Sequence, residues 1–332
     1  MEYIDNNLYL CKQKSIHVMN NRKKYDKNYS SLKVVNGLLI LLTLIIVSCN
    51  KDEGIIDFPD EYTVGANDSE VGVEDNKVKV SSLFYENLLF ISHRGLIDYP
   101  ENTFAAVNAA VLSGFKAVEC DICMTKDSVF VLQHDPTIDR CSDGVGKVND
   151  MTYEQLLAYD FGSWKGSTFA GERIVRLDDL LDYFKMKGLI IELDLADETR
   201  FKREWIPVLY ELVKNKEMLG QTMFTATQDE FSEFLSEPHD IIISVSGVYK
   251  MSDATRALPL KDKVTLCNFS VPQQYLTEAL CKYAHDNGIW IKTWTTTTQE
   301  EMERCISLGA DYIITEIPFE QTPTTGIQPV YM

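Results

Sequence analysis

The sequence has little positive charge: 32 Lys and Arg stand against 50 Asp and Glu, and the formal net charge is −18. No basic tract follows residue 50. Since a protein that binds nucleic acid through its phosphates needs a positive face, this class of function is excluded. Fingerprints of the GxGxxG and GxxxxGKS/T types are also missing, which argues against a nucleotide-binding fold. The composition is 45% hydrophobic and 11% aromatic, which indicates a folded globular chain.

The first fifty residues have the pattern of an export signal. Residues 34–47 form an apolar stretch that is short for a membrane-spanning helix, and five basic residues between Arg22 and Lys33 precede it. Ile46-Val47-Ser48-Cys49 resembles the lipobox of bacterial lipoproteins, which implies cleavage before Cys49 and attachment of lipid to Cys49. We therefore predict a signal peptide at residues 1–48 and a lipid-anchored protein of the bacterial cell envelope, at the outer membrane, on its periplasmic or surface-exposed side. A plain N-terminal membrane anchor is the alternative.

The segment after Cys49 is acidic and has no sustained periodicity. It carries nine Asp or Glu before residue 86, which predicts a flexible linker over residues 49–85. The folded domain is predicted at residues 86–322, with a tail at residues 323–332. Cys120 and Cys123 lie three apart in a strand-like run, where their side chains point to opposite faces. We therefore expect buried thiols there and neither a metal site nor a redox pair.

From residue 86 onward, short apolar runs alternate with amphipathic stretches. The predicted strands are Leu88–Ser92, Ala117–Ile122, Val129–Gln133, Leu189–Leu193, Thr222–Thr225, Ile241–Val245, Thr265–Phe269, Ile289–Thr293 and Tyr312–Thr315. The predicted helices are Asn102–Ser113, Tyr153–Tyr159, Leu177–Met186, Phe201–Lys216, Tyr275–Asn287 and Gln299–Leu308. Repeated strand–helix units predict a parallel α/β fold. We favour an eight-stranded TIM-type barrel over an open doubly wound sheet, because no nucleotide fingerprint opens any unit.

Polar residues follow the predicted strands, where a barrel carries its chemistry. These segments are His93-Arg94-Gly95, Glu119-x-Asp121, Gln133-His134-Asp135, Glu192-Leu193-Asp194, Lys292 with Trp294, and Thr315-Glu316. Glu119 and Asp121 are two apart on one strand, so both carboxylates point to one face. Two carboxylates forced together in an interior need a cation between them. With Glu192 they form an oxygen-only set that suits Mg²⁺ or Ca²⁺.

The chain has five histidines, and His93 and His134 directly follow predicted strands. A pair of imidazoles beside a hard cation suits the cleavage of a phosphodiester: one ring serves as base, the other as acid, and the cation offsets charge on the phosphate. We therefore predict His93 and His134 as the catalytic pair. His17, His239 and His285 are not accompanied by other candidate site residues and are assigned no role.

These residues resemble the glycerophosphodiester phosphodiesterase family. The matching segments in chain order are His93-Arg94-Gly95, Pro100-Glu101-Asn102-Thr103, Glu119-x-Asp121, Val131-Leu132-Gln133-His134-Asp135, Asp139-Arg140, Gly144-x-Gly146, Asp160-Phe161-Gly162-Ser163-Trp164, Gly171-Glu172-Arg173-Ile174, Trp294-Thr295 and Thr315-Glu316-Ile317-Pro318. The resemblance extends from about residue 91 to residue 318, and the number of ordered motifs argues against chance similarity.

The resemblance implies a TIM-type barrel with a small insertion after the early strands, at about residues 136–176. It also implies metal-dependent hydrolysis of a small-molecule glycerophosphodiester to glycerol 3-phosphate and an alcohol. Carried over to this chain, the resemblance implies that the Mg²⁺ or Ca²⁺ ion is bound by Glu119, Asp121 and Glu192. His93 and His134 would be the acid/base pair. Arg94 would hold the phosphate, and Glu101 would orient neighbouring groups.

One position departs from the family pattern. The family usually has a lysine where this chain has Asp194, and strand parity turns Asp194 inward, so an anion replaces a cation near the phosphate. Three hypotheses follow. Lys292, which lies near Trp294 at a strand end, supplies the missing cation and contacts the substrate together with Trp294. Alternatively, Asp194 recruits a second cation or a positively charged substrate group such as choline, or the activity is weakened or redirected to another phosphodiester.

Two other functions stay open from the sequence. The first is a phospholipase-D-like phosphodiesterase that acts on phospholipids or other diesters and needs an apolar rim for lipid entry. The second is a barrel that binds phosphodiesters without turnover because of Asp194. Both histidines and all three predicted metal carboxylates are present, which favours the hydrolase, because a binding protein has little need of an acid/base pair.

Overall fold

The computed structural model describes residues 79–85, 88–195 and 198–318. The predicted signal peptide, Cys49, most of the predicted acidic linker and the predicted tail lie outside these residues. Among the helices described, none is both long and apolar enough to cross a membrane.

Eight parallel strands close into a barrel. The strands in chain order are β1 (Leu89–His93), β2 (Ala117–Met124), β3 (Phe130–Leu132), β4 (Ile190–Asp194), β5 (Thr222–Thr227), β6 (Ile242–Ser246), β7 (Leu266–Pro272), β8 (Trp290–Thr296) and β9 (Tyr312–Thr315). All except β3 belong to the barrel, and β1 pairs in parallel with both β2 and β9. This closure confirms the predicted TIM-type barrel and rules out an open sheet.

Helices connect most of the barrel strands. They are α1 (Phe104–Ser113), α2 (Tyr153–Leu156), α3 (Leu177–Lys187), α4 (Ile206–Asn215), α5 (Gln228–Phe234), α6 (Met251–Ala257), α7 (Glu278–Asp286) and α8 (Gln299–Leu308). The six helices predicted from the sequence are present, several of them shortened. Two further helices, α5 and α6, are not among the predicted ones. Each has only seven residues, too few to show a clear apolar period.

The strand before His134 is not a barrel strand, a distinction that the predicted list of nine strands does not make. β3 pairs antiparallel with β2, with Ile122 opposite Leu132. The connection over residues 125–129 is a tight turn, whereas two parallel strands need a crossover of about a dozen residues or more. Because β3 runs back along β2, its end lies beside Asp121, whose carbonyl oxygen accepts a hydrogen bond from the Gln133 N–H at 3.0 Å. This return places His134 near the carboxylates of β2.

Apolar side chains fill the amino-terminal end of the barrel. They are Phe84, Leu89, Ile91, Ala117, Ile190, Met223, Ile242, Leu266, Tyr312 and Ile314. A 3₁₀ turn at Ser82–Tyr85 packs against this end, and the Tyr312 hydroxyl donates a hydrogen bond to the Phe84 carbonyl oxygen at 2.5 Å. Since this end is closed by apolar packing, ligand access is confined to the carboxyl ends of the strands.

The segment between β3 and α3, which contains the predicted insertion, packs around a small core of its own. This core consists of Cys123, Val131, Ile138, Val148, Leu156, Phe161 and Ile174. Cys120 and Cys123 are buried, as predicted, and so are the four other described cysteines; none of the six forms a disulfide among the described residues.

Candidate active site

A cavity opens at the carboxyl ends of the barrel strands. Its volume is about 520 Å³, which is in the range of small-molecule sites. Seven residues predicted from the sequence line it: His93, Arg94, Glu119, His134, Glu192, Lys292 and Trp294. The two other predicted residues of the site, Glu101 and Asp121, each form an ion pair with Arg94. The barrel therefore brings the predicted residues of the folded domain together at one place.

The turn after β1 positions Arg94. Arg94 and Asn102 have φ angles of 55° and 56°, and Gly95 has a φ of 85°. A Cβ atom on Gly95 would lie 2.6 Å from the Cβ of Ala106, so this turn fits against α1 only with glycine. The backbone N–H of Arg94 donates to Glu119 Oε2 at 3.0 Å. The turn therefore joins the end of β1 to a carboxylate on β2.

Three carboxylates meet where β2 and β4 run side by side. Strand pairing places Asp121 opposite Asp194, and carboxylate oxygens of Glu119, Asp121 and Asp194 lie within 4.8 Å of one another. Burial raises the pKa of Glu119 well above its ordinary value, and the charges of Asp121 and Asp194 raise it further. A divalent cation would relieve this repulsion. Glu119 and Asp121 therefore fit a hard cation such as Mg²⁺ or Ca²⁺, and Asp194 lies beside them.

Glu192, the third predicted cation ligand, pairs with Lys292. Its Oε1 accepts hydrogen bonds from Lys292 Nζ and from Thr225 Oγ1, the latter at 2.7 Å. Both charged side chains are only 1% exposed. The other oxygen of Glu192, Oε2, is buried and has no hydrogen-bond partner among the described residues. This oxygen is available to a bound cation, so the geometry is compatible with Glu192 as a further donor.

Asp121 is held in place by three side chains. Arg200 Nη1 donates to Oδ1 at 2.5 Å, Asn102 Nδ2 donates to Oδ2 at 2.8 Å, and Arg94 Nε lies 3.0 Å from Oδ2. Burial alone would raise the pKa of Asp121, but the charges of Arg200 and Arg94 outweigh burial and lower the pKa. Asp121 therefore remains an anion beside Glu119, whose pKa is shifted in the opposite direction.

Glu316 orients the ring of His93. The His93 Nδ1 atom lies 3.0 Å from Glu316 Oε1, just after the end of β9. The hydrogen bond with His93 lowers the pKa of Glu316 below its ordinary value. Because Nδ1 is engaged, Nε2 is the ring nitrogen that can exchange a proton with a ligand.

An ion-pair network joins the two histidine loops. His134 Nδ1 lies 2.7 Å from Asp135 Oδ1, and Arg140 donates both to Asp135 and to Glu101 at 2.7 Å. Glu101 also accepts a hydrogen bond from Arg94 at 2.9 Å. Burial alone would raise the pKa of Glu101, but Arg140 and Arg94 outweigh it and lower the pKa. Glu101 is thus the link between Arg94 on one loop and Arg140 near His134 on the other.

Arg200 lines the cavity with a side chain that is only 2% exposed, and it is not among the residues predicted from the sequence. It lies in the connection after β4, and loops at this end of a barrel carry site residues. The position of Arg200 in this loop is the feature of the sequence that could have identified it as a site residue. It did not single out Arg200, because Lys202 and Arg203 follow within three residues.

Comparison with known proteins assigns the chain to a family. The sequence model of the Glycerophosphoryl diester phosphodiesterase family matches residues 93–319. The chain belongs to this family. It is accordingly an enzyme of the phosphoric diester hydrolase class, and its glycerophosphodiester phosphodiesterase activity is supported by the family and by its relatives.

One relative of this family matches most of the folded domain, and a second matches a shorter part of it. A glycerophosphodiester phosphodiesterase from Caldanaerobacter subterraneus subsp. tengcongensis is 30% identical over 248 residues, which are 69% of this chain and 94% of the relative. Glycerophosphodiester phosphodiesterase 1 from Homo sapiens is 49% identical over 67 residues, which are 20% of each chain.

Solved structures share the fold. A phosphodiesterase from Oleispira antarctica, in complex with the product sn-glycerol-3-phosphate, has a TM-score of 0.61 and 22% identity, and the match covers 72% of this chain and 97% of that chain. A glycerophosphoryl diester phosphodiesterase from Parabacteroides distasonis has a TM-score of 0.58 and 21% identity, with 75% and 95% covered.

Proposed function

We propose that this enzyme hydrolyses glycerophosphodiesters to glycerol 3-phosphate and an alcohol with the help of a divalent cation. The observation that carries the proposal is the convergence of His93, His134, Arg94 and a buried carboxylate cluster on one cavity. A cavity of about 520 Å³ accommodates a small-molecule diester. The relatives described above carry the same activity in their names.

The carboxylate cluster would hold the cation. Glu119 and Asp121 offer converging oxygens, and Oε2 of Glu192 is a further donor. When bound, Mg²⁺ or Ca²⁺ draws charge away from the phosphate oxygens as the reaction proceeds. The guanidinium of Arg94 would bind a phosphate oxygen from the side of the β1 turn.

The two histidines would divide the proton transfers. One imidazole takes a proton from the attacking water as the new P–O bond forms, and the other donates a proton to the alcohol oxygen as the old P–O bond breaks. Glu316 and Asp135 engage Nδ1 of His93 and His134, respectively, so Nε2 of each ring is the atom that moves the proton.

Release of glycerol 3-phosphate from glycerophosphocholine tests this proposal. The purified full chain is assayed with Mg²⁺, with Ca²⁺ and with a chelator, and we expect cation-dependent release that falls at least about a hundredfold on chelation, because the cation carries much of the charge stabilisation. Readdition of the better cation to the chelated protein is the control and should restore the rate. A folded protein that releases nothing with either cation would contradict the proposal, as would formation of phosphocholine and glycerol.

Exposed aromatic side chains at the cavity favour a second candidate function, the cleavage of phosphodiesters with a large apolar group. Trp294 and Tyr249 line the cavity and are 38% and 49% exposed. Tyr275 is 48% exposed, and its ring centroid lies 5.3 Å from that of Tyr249. Side chains of this type bind apolar or cationic alcohol groups. A lysophospholipid, assayed beside glycerophosphocholine, discriminates between the two functions, because the preferred substrate has the higher kcat/KM.

We also propose that Cys49 carries a lipid anchor that holds the enzyme in the bacterial cell envelope. The support is the lipobox resemblance of residues 46–49 and the basic and apolar stretches before it. In cells fed labelled palmitate, the Cys49→Ala variant should lose both the label and its place in the membrane fraction, since Cys49 is the acceptor. The matched Cys11→Ala variant should keep both. Labelled Cys49→Ala protein would contradict the proposal, and unlabelled wild-type protein in the membrane fraction would indicate a plain anchor.

A further inference from the structure

Arg200 is a buried cation that joins three parts of the site. Its Nη1 donates to Asp121 Oδ1 at 2.5 Å and to the His134 carbonyl oxygen at 3.4 Å. Its Nη2 donates to the Asp194 carbonyl oxygen at 3.3 Å and lies 3.7 Å from Asp194 Oδ2. The guanidinium therefore contacts β2, the end of β4 and the loop that carries His134. A buried cation at such a junction is costly unless it is paired, and both of its carboxylate partners belong to the acidic cluster.

The charges around the cluster explain what Arg200 contributes. With all three carboxylates ionised, Glu119, Asp121 and Asp194 face the guanidiniums of Arg94 and Arg200, which leaves one net negative charge. A divalent cation would change this to one net positive charge, the complement of the single negative charge on a phosphate diester. Without Arg200 the cation-loaded cluster would be neutral, and its electrostatic attraction for the diester would be lost.

Arg200 also has an unused donor. Its Nε atom is buried and has no hydrogen-bond partner among the described residues, although Arg200 lines the cavity. Buried donors in proteins are almost always paired, and a phosphate oxygen is a strong acceptor for a guanidinium. A ligand with such oxygens in the cavity would therefore satisfy a group that the protein alone leaves unpaired.

We propose that Arg200 binds the substrate phosphate and that Asp194 is the positioning residue that holds Arg200, so that Arg200 supplies the positive charge for which the family pattern uses a lysine at position 194. This inference rests on the proposed function, because it assigns the phosphate-binding side of the same site. With this role for Asp194 the enzyme stays active, because the negative charge of Asp194 is matched by the positive charge of Arg200 from the neighbouring loop.

The affinity for glycerol 3-phosphate tests the pair. Calorimetry with saturating Mg²⁺ compares the wild-type chain with the Arg200→Met, Arg200→Lys and Asp194→Asn variants. We expect Arg200→Met to weaken binding about ten- to a hundredfold, as the loss of a charge-assisted contact does, and Arg200→Lys to retain most of the affinity. Asp194→Asn should weaken binding about three- to tenfold. The Arg200→Met variant that also carries Asp194→Asn should bind no more weakly than Arg200→Met alone, because the two residues act through one contact.

A rescue and a control complete the test. Combining Arg200→Met with Asp194→Lys should recover most of the lost affinity, because a lysine at position 194 restores the cation. Arg203→Met makes the same change at a position whose side chain is 45% exposed and paired with Glu198, so its affinity should stay within about twofold of wild type. Calorimetry with Mg²⁺ alone should give Asp194→Asn a Kd within about threefold of wild type.

Two results would overturn the inference. An unchanged affinity for glycerol 3-phosphate in Arg200→Met would remove Arg200 from phosphate binding. A tenfold or larger loss of Mg²⁺ affinity in Asp194→Asn would make Asp194 a cation ligand instead of a positioning residue. Turnover of glycerophosphocholine by the wild-type chain shows which proposal has failed. An inactive wild-type protein contradicts the proposed function, whereas an active wild-type protein with either result above contradicts only the roles of Arg200 and Asp194.

Discussion

The His93→Asn and His134→Asn variants are expected to lose about 10²- to 10⁴-fold in kcat for glycerophosphocholine, because each removes one of the two proton transfers. Asparagine retains a polar group near the partner of each ring, Glu316 or Asp135, so the fold should be preserved. The measurement is kcat and KM at saturating cation, together with a thermal melt of each variant. KM should change much less than kcat, since the carboxylates and arginines still bind the substrate.

His239 offers a matched control for these substitutions. Its ring stacks on Phe234 with a centroid distance of 4.1 Å, and it precedes β6, at the end of the barrel opposite the cavity. The His239→Asn variant should keep kcat within about twofold of wild type. A loss of less than tenfold in either His93→Asn or His134→Asn would contradict the assignment of that residue to proton transfer.

The leaving group distinguishes the acid from the base. A p-nitrophenyl phosphodiester releases a phenolate that needs no proton, so the variant that lacks the acid should recover most of its activity on this substrate. The variant that lacks the base should stay slow on both substrates. If neither variant recovers, the two histidines do not divide the proton transfers in the proposed way.

Lys292→Met is expected to have the largest effect on stability, because it leaves the carboxylate of Glu192 buried without its cation. Breaking a buried ion pair from one side costs about 3–5 kcal/mol. For a domain of this size, the midpoint of thermal unfolding should fall by about 10 °C. The measurement is thermal and denaturant unfolding of the cation-free protein at neutral pH.

The partner variant and an exposed lysine provide the controls. Adding Glu192→Gln to Lys292→Met removes the stranded charge, so the double variant should be more stable than Lys292→Met alone. Lys282→Met removes a lysine whose side chain is 69% exposed and paired with Asp286, and its unfolding free energy should change by less than about 1 kcal/mol. A melting point of Lys292→Met within 2 °C of the wild type would show that the pair contributes little to stability.

Local patterns in the sequence were sufficient to predict most of the fold. All nine predicted strands are present, because buried apolar runs between turn residues are a local signal. The prediction did not distinguish β3 from a barrel strand, since pairing direction depends on the length of the connection to its neighbour. It also missed α5, although Thr227 and Glu230 form a capping box at its start and mark it in the sequence.

The predicted site shows the same division between local and distant effects. Alternation along β2 correctly placed Glu119 and Asp121 on one face, because successive side chains of a strand point to opposite sides. The hypothesis that Lys292 supplies the missing cation came from its position at a strand end. In the structure Lys292 bonds to Glu192, and Arg200 lies beside Asp194. The distance between elements decides which cation pairs with which carboxylate, and strand parity does not predict this distance.

The sequence by itself determined the family, the barrel class and the side chains that face the interior, because motifs and alternation are properties of short segments. Only the tertiary structure decided how the buried charges pair. Asp121 and Arg200 are 79 residues apart, and Glu192 and Lys292 are 100 residues apart. These groups meet only after the barrel closes, and in its interior each charge must find an opposite one, because water cannot reach it.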